Sequence, residues 1–182
     1  KRISTRIKRR ITTITASNLQ SEVTNLINTP GKKLTLSEGT YNLDNDLILA
    51  NICDGYGASS YMDYSNDICI DLNGQTLNLG NHSLCVERNS TVHIINGTIT
   101  GTGNAVIKNY GYLHLNNVSV KNTVYDAIWN VDNEMHIYPQ SDNSVVISGK
   151  RDGIVMGCDK FSLTSRRYNS VLLQGQIEAG RD

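Results

Sequence analysis

The sequence contains no run of about 18 apolar residues, so it offers no transmembrane helix. No apolar h-region follows its basic start, so no secretory signal is expected. Its four cysteines, Cys53, Cys69, Cys85 and Cys158, include no CxxC pair, which excludes a zinc knuckle or a thioredoxin-type redox centre. Cys69 in DICID and Cys85 in SLCVE sit inside apolar runs and are expected as buried thiols. GTGNAV (101–106) lacks the third glycine and the following helix of a dinucleotide fingerprint. Phenylalanine and tryptophan occur once each, so aromatic chemistry rests on nine tyrosines.

Acidic residues are absent from the first ten positions, KRISTRIKRR, which hold six basic ones. The other 172 residues hold eleven basic and seventeen acidic side chains. The body is therefore no general nucleic-acid binder, and only the arm suits an acidic partner. Arg2, Arg6, Lys8, Arg9 and Arg10 are the candidate contacts, to another protein subunit or to nucleic acid. Ile3, Ile7, Ile11 and Ile14 follow the spacing of a basic amphipathic helix, while Thr12, Thr13 and Thr15 favour extended chain.

What the chain does have is a repeat. His93, His114 and His136 recur at intervals of 21 and 22 residues, each between two apolar residues, in VHI, LHL and MHI. The chain divides into rungs at 32–51, 67–89, 90–110, 111–132, 133–158 and 159–176. A short alternating strand opens each rung and an Asn or Gly turn follows. A second strand, a small-residue loop and a third strand complete it. Such strands lack paired return strands and so cannot form hairpins. They pair instead with their counterparts one rung along, about 4.8 Å away, as in a parallel β-helix.

The segments DLNGQTLNL, VHIINGTITGTGNAV, LHLNNVSVKNTVYDAIWN and KRDGI resemble the right-handed parallel β-helix repeats of the pectin-lyase-like superfamily, over roughly residues 32–176. Polysaccharide lyases, glycosidases, bacterial adhesins and phage spikes share such repeats, so the resemblance implies a fold more than an activity. The chain lacks the polygalacturonase-like set of Asp-containing, Gly-His-Gly and Arg-x-Lys motifs, and the arginine pattern of pectate lyases.

The expected fold is all-β: a short right-handed parallel β-helix (32–182), a capping α-helix (17–31) and a basic anchoring arm (1–16). A Ser17–Gln20 capping box opens the helix, Leu19, Val23, Leu26 and Ile27 form its apolar face, and Thr29-Pro30-Gly31 ends it. The histidines then point outward as a solvent-facing ladder, with metal binding by His93, His114 and His136 as the weaker reading.

Two further sites stand out. Asn104, Asp126 and Asp152 align at the heads of third strands. Adjacent carboxylates at Asp126 and Asp152 suit acid and nucleophile roles on a glycoside, or a calcium ion. Asp before a strand is also an ordinary turn residue. Lys150 and Arg151 stand beside them as contacts for an acidic sugar. The insertion CDGYGASSYMDYSND (53–67) places Tyr56, Tyr61, Tyr64 and Asp63 on a long loop, suited to a glycan or subunit.

The leading expectation is a non-enzymatic structural or adhesive module of a virion appendage or decoration, without cofactor. The alternatives are a carbohydrate-active enzyme using Asp126 and Asp152, and a surface adhesin that binds glycans. The expected location is the virion or the extracellular space.

Overall fold

The computed structural model describes residues 13–27, 33–50, 68–88, 90–138 and 145–157, and the backbone of 161–163 and 172–179. The first rung holds β1 (Lys33–Thr35), β2 (Tyr41–Asn42) and β3 (Leu47–Leu49), and the second β4 (Ile68–Asp71), β5 (Thr76–Asn78) and β6 (Leu84–Val86). The third holds β7 (Thr91–Gly101) and β8 (Ala105–Asn109), the fourth β9 (Tyr112–Asn122) and β10 (Asp126–Asn130), and the fifth β11 (Met135–Tyr138) and β12 (Val146–Met156). Beyond them lie β13 (Phe161–Leu163) and β14 (Leu172–Ala179).

All pairing is parallel and runs from rung to rung, making a β-helix with three faces. On the first face the order is β1, β4, β7, β9, β11, β13. On the second it is β2, β5, then the later halves of β7 and β9, then the first halves of β12 and β14. On the third it is β3, β6, β8, β10, then the second halves of β12 and β14.

In the third and fourth rungs the expected first and second strands join into single strands. Asn96 (φ 58) and Asn117 (φ 55) turn the corner in the left-handed region without breaking the ladder. Asparagine tolerates this conformation, and here the amides also stack: Asn117 Nδ2 donates to Asn96 Oδ1 at 3.2 Å. At another corner, fully buried Asn109 donates to Asn130 Oδ1 at 2.5 Å. Asn122 fastens the next corner, donating to the carbonyls of Gly103 and Asp126, both at 2.7 Å.

Inward-facing apolar files fill the core, such as Ile70, Ile94, Leu115 and Ile137, or Leu84, Ile107, Ile128 and Ile154. Every member is at most 2% exposed. Burial of each such side chain contributes about 1.5–3 kcal/mol, so every added rung extends one continuous core.

The helix α1 (Leu19–Ile27) packs against β1, β3 and β4 through buried Leu19 and Val23 and partly buried Leu26. The expected Ser17–Gln20 box does not form. Glu22 N–H donates to the Asn18 carbonyl at 2.9 Å, so Asn18 occupies the cap position. The Asn18 side chain folds back, accepting from Thr15 N–H at 2.7 Å and donating to the Thr13 carbonyl at 2.9 Å. Gln20 turns instead to the edge strand, donating to the Ile48 carbonyl at 3.0 Å and accepting its N–H at 2.8 Å. Ile14 is buried, its carbonyl 2.8 Å from the Tyr41 hydroxyl, so the end of the expected arm belongs to the body. Residues 1–12 and Thr29-Pro30-Gly31 lie outside the described residues.

Candidate functional site

Register brings the heads of β10 and β12 together. Ile128 pairs with Ile154, which sets Asp126 beside Asp152 as expected. The third member of that file is a correction: Ala105, not Asn104, is opposite Asp126. Asn104 lies one position earlier, and its carbonyl accepts Asp126 N–H at 3.2 Å.

Asp126 has no solvent exposure. Its Oδ1 accepts from Arg151 Nε at 2.7 Å and from Asp152 N–H at 3.2 Å. Its Oδ2 accepts from Trp129 Nε1 at 2.6 Å and from Arg151 Nη2. Burial alone pushes this carboxyl up, but the hydrogen bonds from Arg151 and Trp129 outweigh it and hold the group below the usual carboxylate range. Arg151 Nε is also 3.6 Å from Asp152 Oδ2, so the guanidinium stands against both acids. Arg151, expected to receive an acidic sugar, is thus engaged internally. Its guanidinium also lies 5.7 Å from the Tyr125 ring centroid, and Lys108 Nζ lies 5.9 Å from that of Trp129. Trp129 carries much of this cluster, yet sequence reasoning missed it. The signal was there: the chain's one tryptophan, three residues after Asp126 in DAIW.

The histidines form the expected column, in register from Cys69 through His93, His114 and His136 to Ser162. The rings stack, with centroids 4.3 Å apart for His93–His114 and 5.0 Å for His114–His136, and interplanar angles of 17° and 9°. The solvent-facing expectation is overturned for two of them. His93 is 7% and His114 6% exposed. His114 is sandwiched between its neighbours, with the Tyr138 ring 5.8 Å away. His114 Nε2 and Asn116 Oδ1 are buried without a hydrogen-bond partner. Burial, then the adjacent His93 and His136, push the His114 pKa down to about 3. Glu134 Oε2 lies 3.0 Å from His136 Nε2. Among the described residues, no group of three or more His, Cys, Asp or Glu side chains is placed to hold a metal ion. Stacked rings direct their lone pairs side by side, whereas a metal needs them to converge.

A groove of about 610 Å³ runs across the second face. Thr40, Asn42, Thr76, Asn78, Thr100 and Thr102 line it, and none of its lining residues is charged or aromatic. The remaining expected contacts, Tyr56, Tyr61, Tyr64 and Asp63 on the loop and Arg2, Arg6, Lys8, Arg9 and Arg10 on the arm, lie outside the described residues.

Compared with protein-family models, curated proteins and solved structures, the chain matches none.

Proposed function

We propose that this chain is a non-enzymatic structural or adhesive β-helix module, of the kind carried by a virion appendage or a surface adhesin. The observation that supports it most is the state of Asp126. A general acid or nucleophile needs a carboxylate that can reach substrate and exchange a proton or a bond. Asp126 is fully buried, and Arg151, Trp129 and Asp152 N–H use both of its oxygens. This is how a carboxylate that fastens two rungs is placed. The pectin-lyase-like resemblance fits the same reading, because that repeat also builds adhesins and spikes. The polar groove on the second face offers hydroxyls and amides to a neutral ligand such as a glycan, and the basic arm offers an anchor to a protein partner.

The test is a panel of neutral and acidic polysaccharides, scored for retention on affinity gels and for new reducing or unsaturated ends. Retention without new ends is expected, for the wild type and Asp152→Asn alike. New ends made by the wild type and lost in Asp152→Asn would overturn the proposal in favour of an enzyme.

A further inference from the structure

The proposed function makes no use of the histidine column. His93, His114 and His136 point away from the core, yet His93 and His114 are only 7% and 6% exposed. Their stacked rings, with centroids 4.3 and 5.0 Å apart, leave no space for water between them. His114 Nε2 and Asn116 Oδ1, two residues apart on β9, are buried without a hydrogen-bond partner. Such orphaned groups cost free energy that contact with water would recover. The next strand of the column is also held over a shorter length. β7 and β9 continue round the corner and stay paired on the second face, whereas β11 ends at Tyr138 and meets β9 only from Met135 to Tyr138.

A proton entering the column meets different surroundings at each ring. On His136 it faces the Glu134 carboxylate, 3.0 Å from Nε2. On His114 it lies between the imidazoles of His93 and His136, with the Tyr138 ring beside it, and His114 makes no ion pair among the described residues. The other titratable groups on this side, among the described residues, stand further along it. Cys69 is opposite His93, and Tyr112 is two residues before His114. The Asp71 carboxylate is already met by Lys33 Nζ at 2.8 Å. A charge on His114 thus gains neither water nor a counter-charge while β9 and β11 stay together.

We propose that the histidine column is an acid-operated latch, which holds β11 against β9 while its rings are neutral and loosens that contact when protons enter. Parting of the two strands admits water to His114 Nε2 and Asn116 Oδ1 and gives the added charge its hydration. The sign follows from His114. Its pKa of about 3 in the closed column lies below the ordinary 6.5 that a hydrated imidazole has, so the open form binds the extra proton between these values. Opening is therefore favoured as pH falls from about 6.5 toward 3 and is not favoured above 6.5. The third-face strands β8 and β10 carry no stacked imidazoles, and their inward files Ile107 and Ile128 stay packed. The latch rests on the column alone and does not depend on the proposed structural or adhesive role.

Amide hydrogen exchange of the full chain tests the latch, read residue by residue by NMR at pH 7 and pH 5 and corrected for intrinsic rates. The opening equilibrium of amides in 112–116 and 135–138 is expected to rise about 20-fold between these pH values, as the linkage of one such histidine requires. Amides of β8 and β10 should change little. His114→Phe keeps a ring and His114→Gln keeps a polar group, and each should lose most of the rise. Circular dichroism shows which variants keep the fold, and either one suffices. Protection of β11 that is the same at both pH values overturns the proposal. So does an equal rise in a folded His114 variant, or an equal rise in β8 and β10, which would mean that acid acts on the whole fold.

Discussion

Gln20 holds both main-chain groups of Ile48, donating to its carbonyl at 3.0 Å and accepting its N–H at 2.8 Å. Ile48 is the centre of β3, the first strand of the third face among the described residues, where no other strand pairs with its outer edge. A side-chain amide thus takes the hydrogen bonds that a neighbouring strand would make, and an unpaired edge is where sheets recruit other chains. Gln20→Ala is expected to lower stability by about 1–2 kcal/mol and to promote aggregation. Urea unfolding and static light scattering measure both. An unchanged midpoint with no aggregation would show that the amide is dispensable.

Asp126→Ala leaves Arg151 and Trp129 Nε1 without their acceptor. Arg151 is half-exposed and also faces Asp152, so the cost is mainly that of the lost hydrogen bonds and the unpaired indole N–H, about 1–3 kcal/mol. The thermal midpoint should fall, and Trp129 emission should shift as the indole loses its anchor. The folded carboxyl titrates below its unfolded value, because the Arg151 and Trp129 hydrogen bonds outweigh burial. Its contribution is therefore complete above about pH 4 and fades as pH falls through the lower, folded value. Asp126→Asn should remove that acid-side dependence, as followed by urea midpoints below pH 4.

His114 acts in a different window. Its folded pKa of about 3 lies below the ordinary value of 6.5, so the unfolded chain binds the extra proton between them. Stability should fall as pH drops from about 6.5 toward 3, by up to roughly 1.4 kcal/mol per unit inside the window. His114→Phe keeps a stacked ring without a titrating group, and should flatten the slope of unfolding free energy between pH 6.5 and 4.5. An equal slope in both proteins would place the titration elsewhere.

Gly97 and Gly149 tolerate no side chain. A Cβ on Gly97 would lie 2.5 Å from Leu72 Cβ and 2.7 Å from the Gln75 carbonyl oxygen. On Gly149 it would fall on the Asp152 carbonyl, so Gly149→Ala must move backbone beside the Asp126 cluster. Both alanine variants should lose about 1–3 kcal/mol, and Gly149→Ala should also perturb Trp129 fluorescence. Thermal unfolding followed by tryptophan emission checks both at once.

Much of the architecture was legible without coordinates because apolar residues alternate along each strand and recur from rung to rung. Val92 and Ile94, Leu113 and Leu115, and Met135 and Ile137 could face one core only as stacked strands. Asn96 and Asn117 marked the corners because asparagine suits a left-handed turn. Asp126 and Asp152 were paired correctly, while Asn104 was misplaced by one residue. The turn from Gly101 to Ala105 keeps the register of that from Asn122 to Asp126, whereas aligning NAV with DAI by residue type slips it by one position.

The sequence by itself determined the period, the inward files, the corner residues and the column that holds the histidines. Each is a local pattern repeated along the chain, and the repeat leaves one economical way to bury it. Only the tertiary structure decided that Gln20 closes an edge, that Arg151 serves Asp126, and that outward His114 is buried between its neighbours. These outcomes depend on side chains about 20 or more residues apart meeting across rungs. Their distances follow from lateral register and from no spacing along the chain.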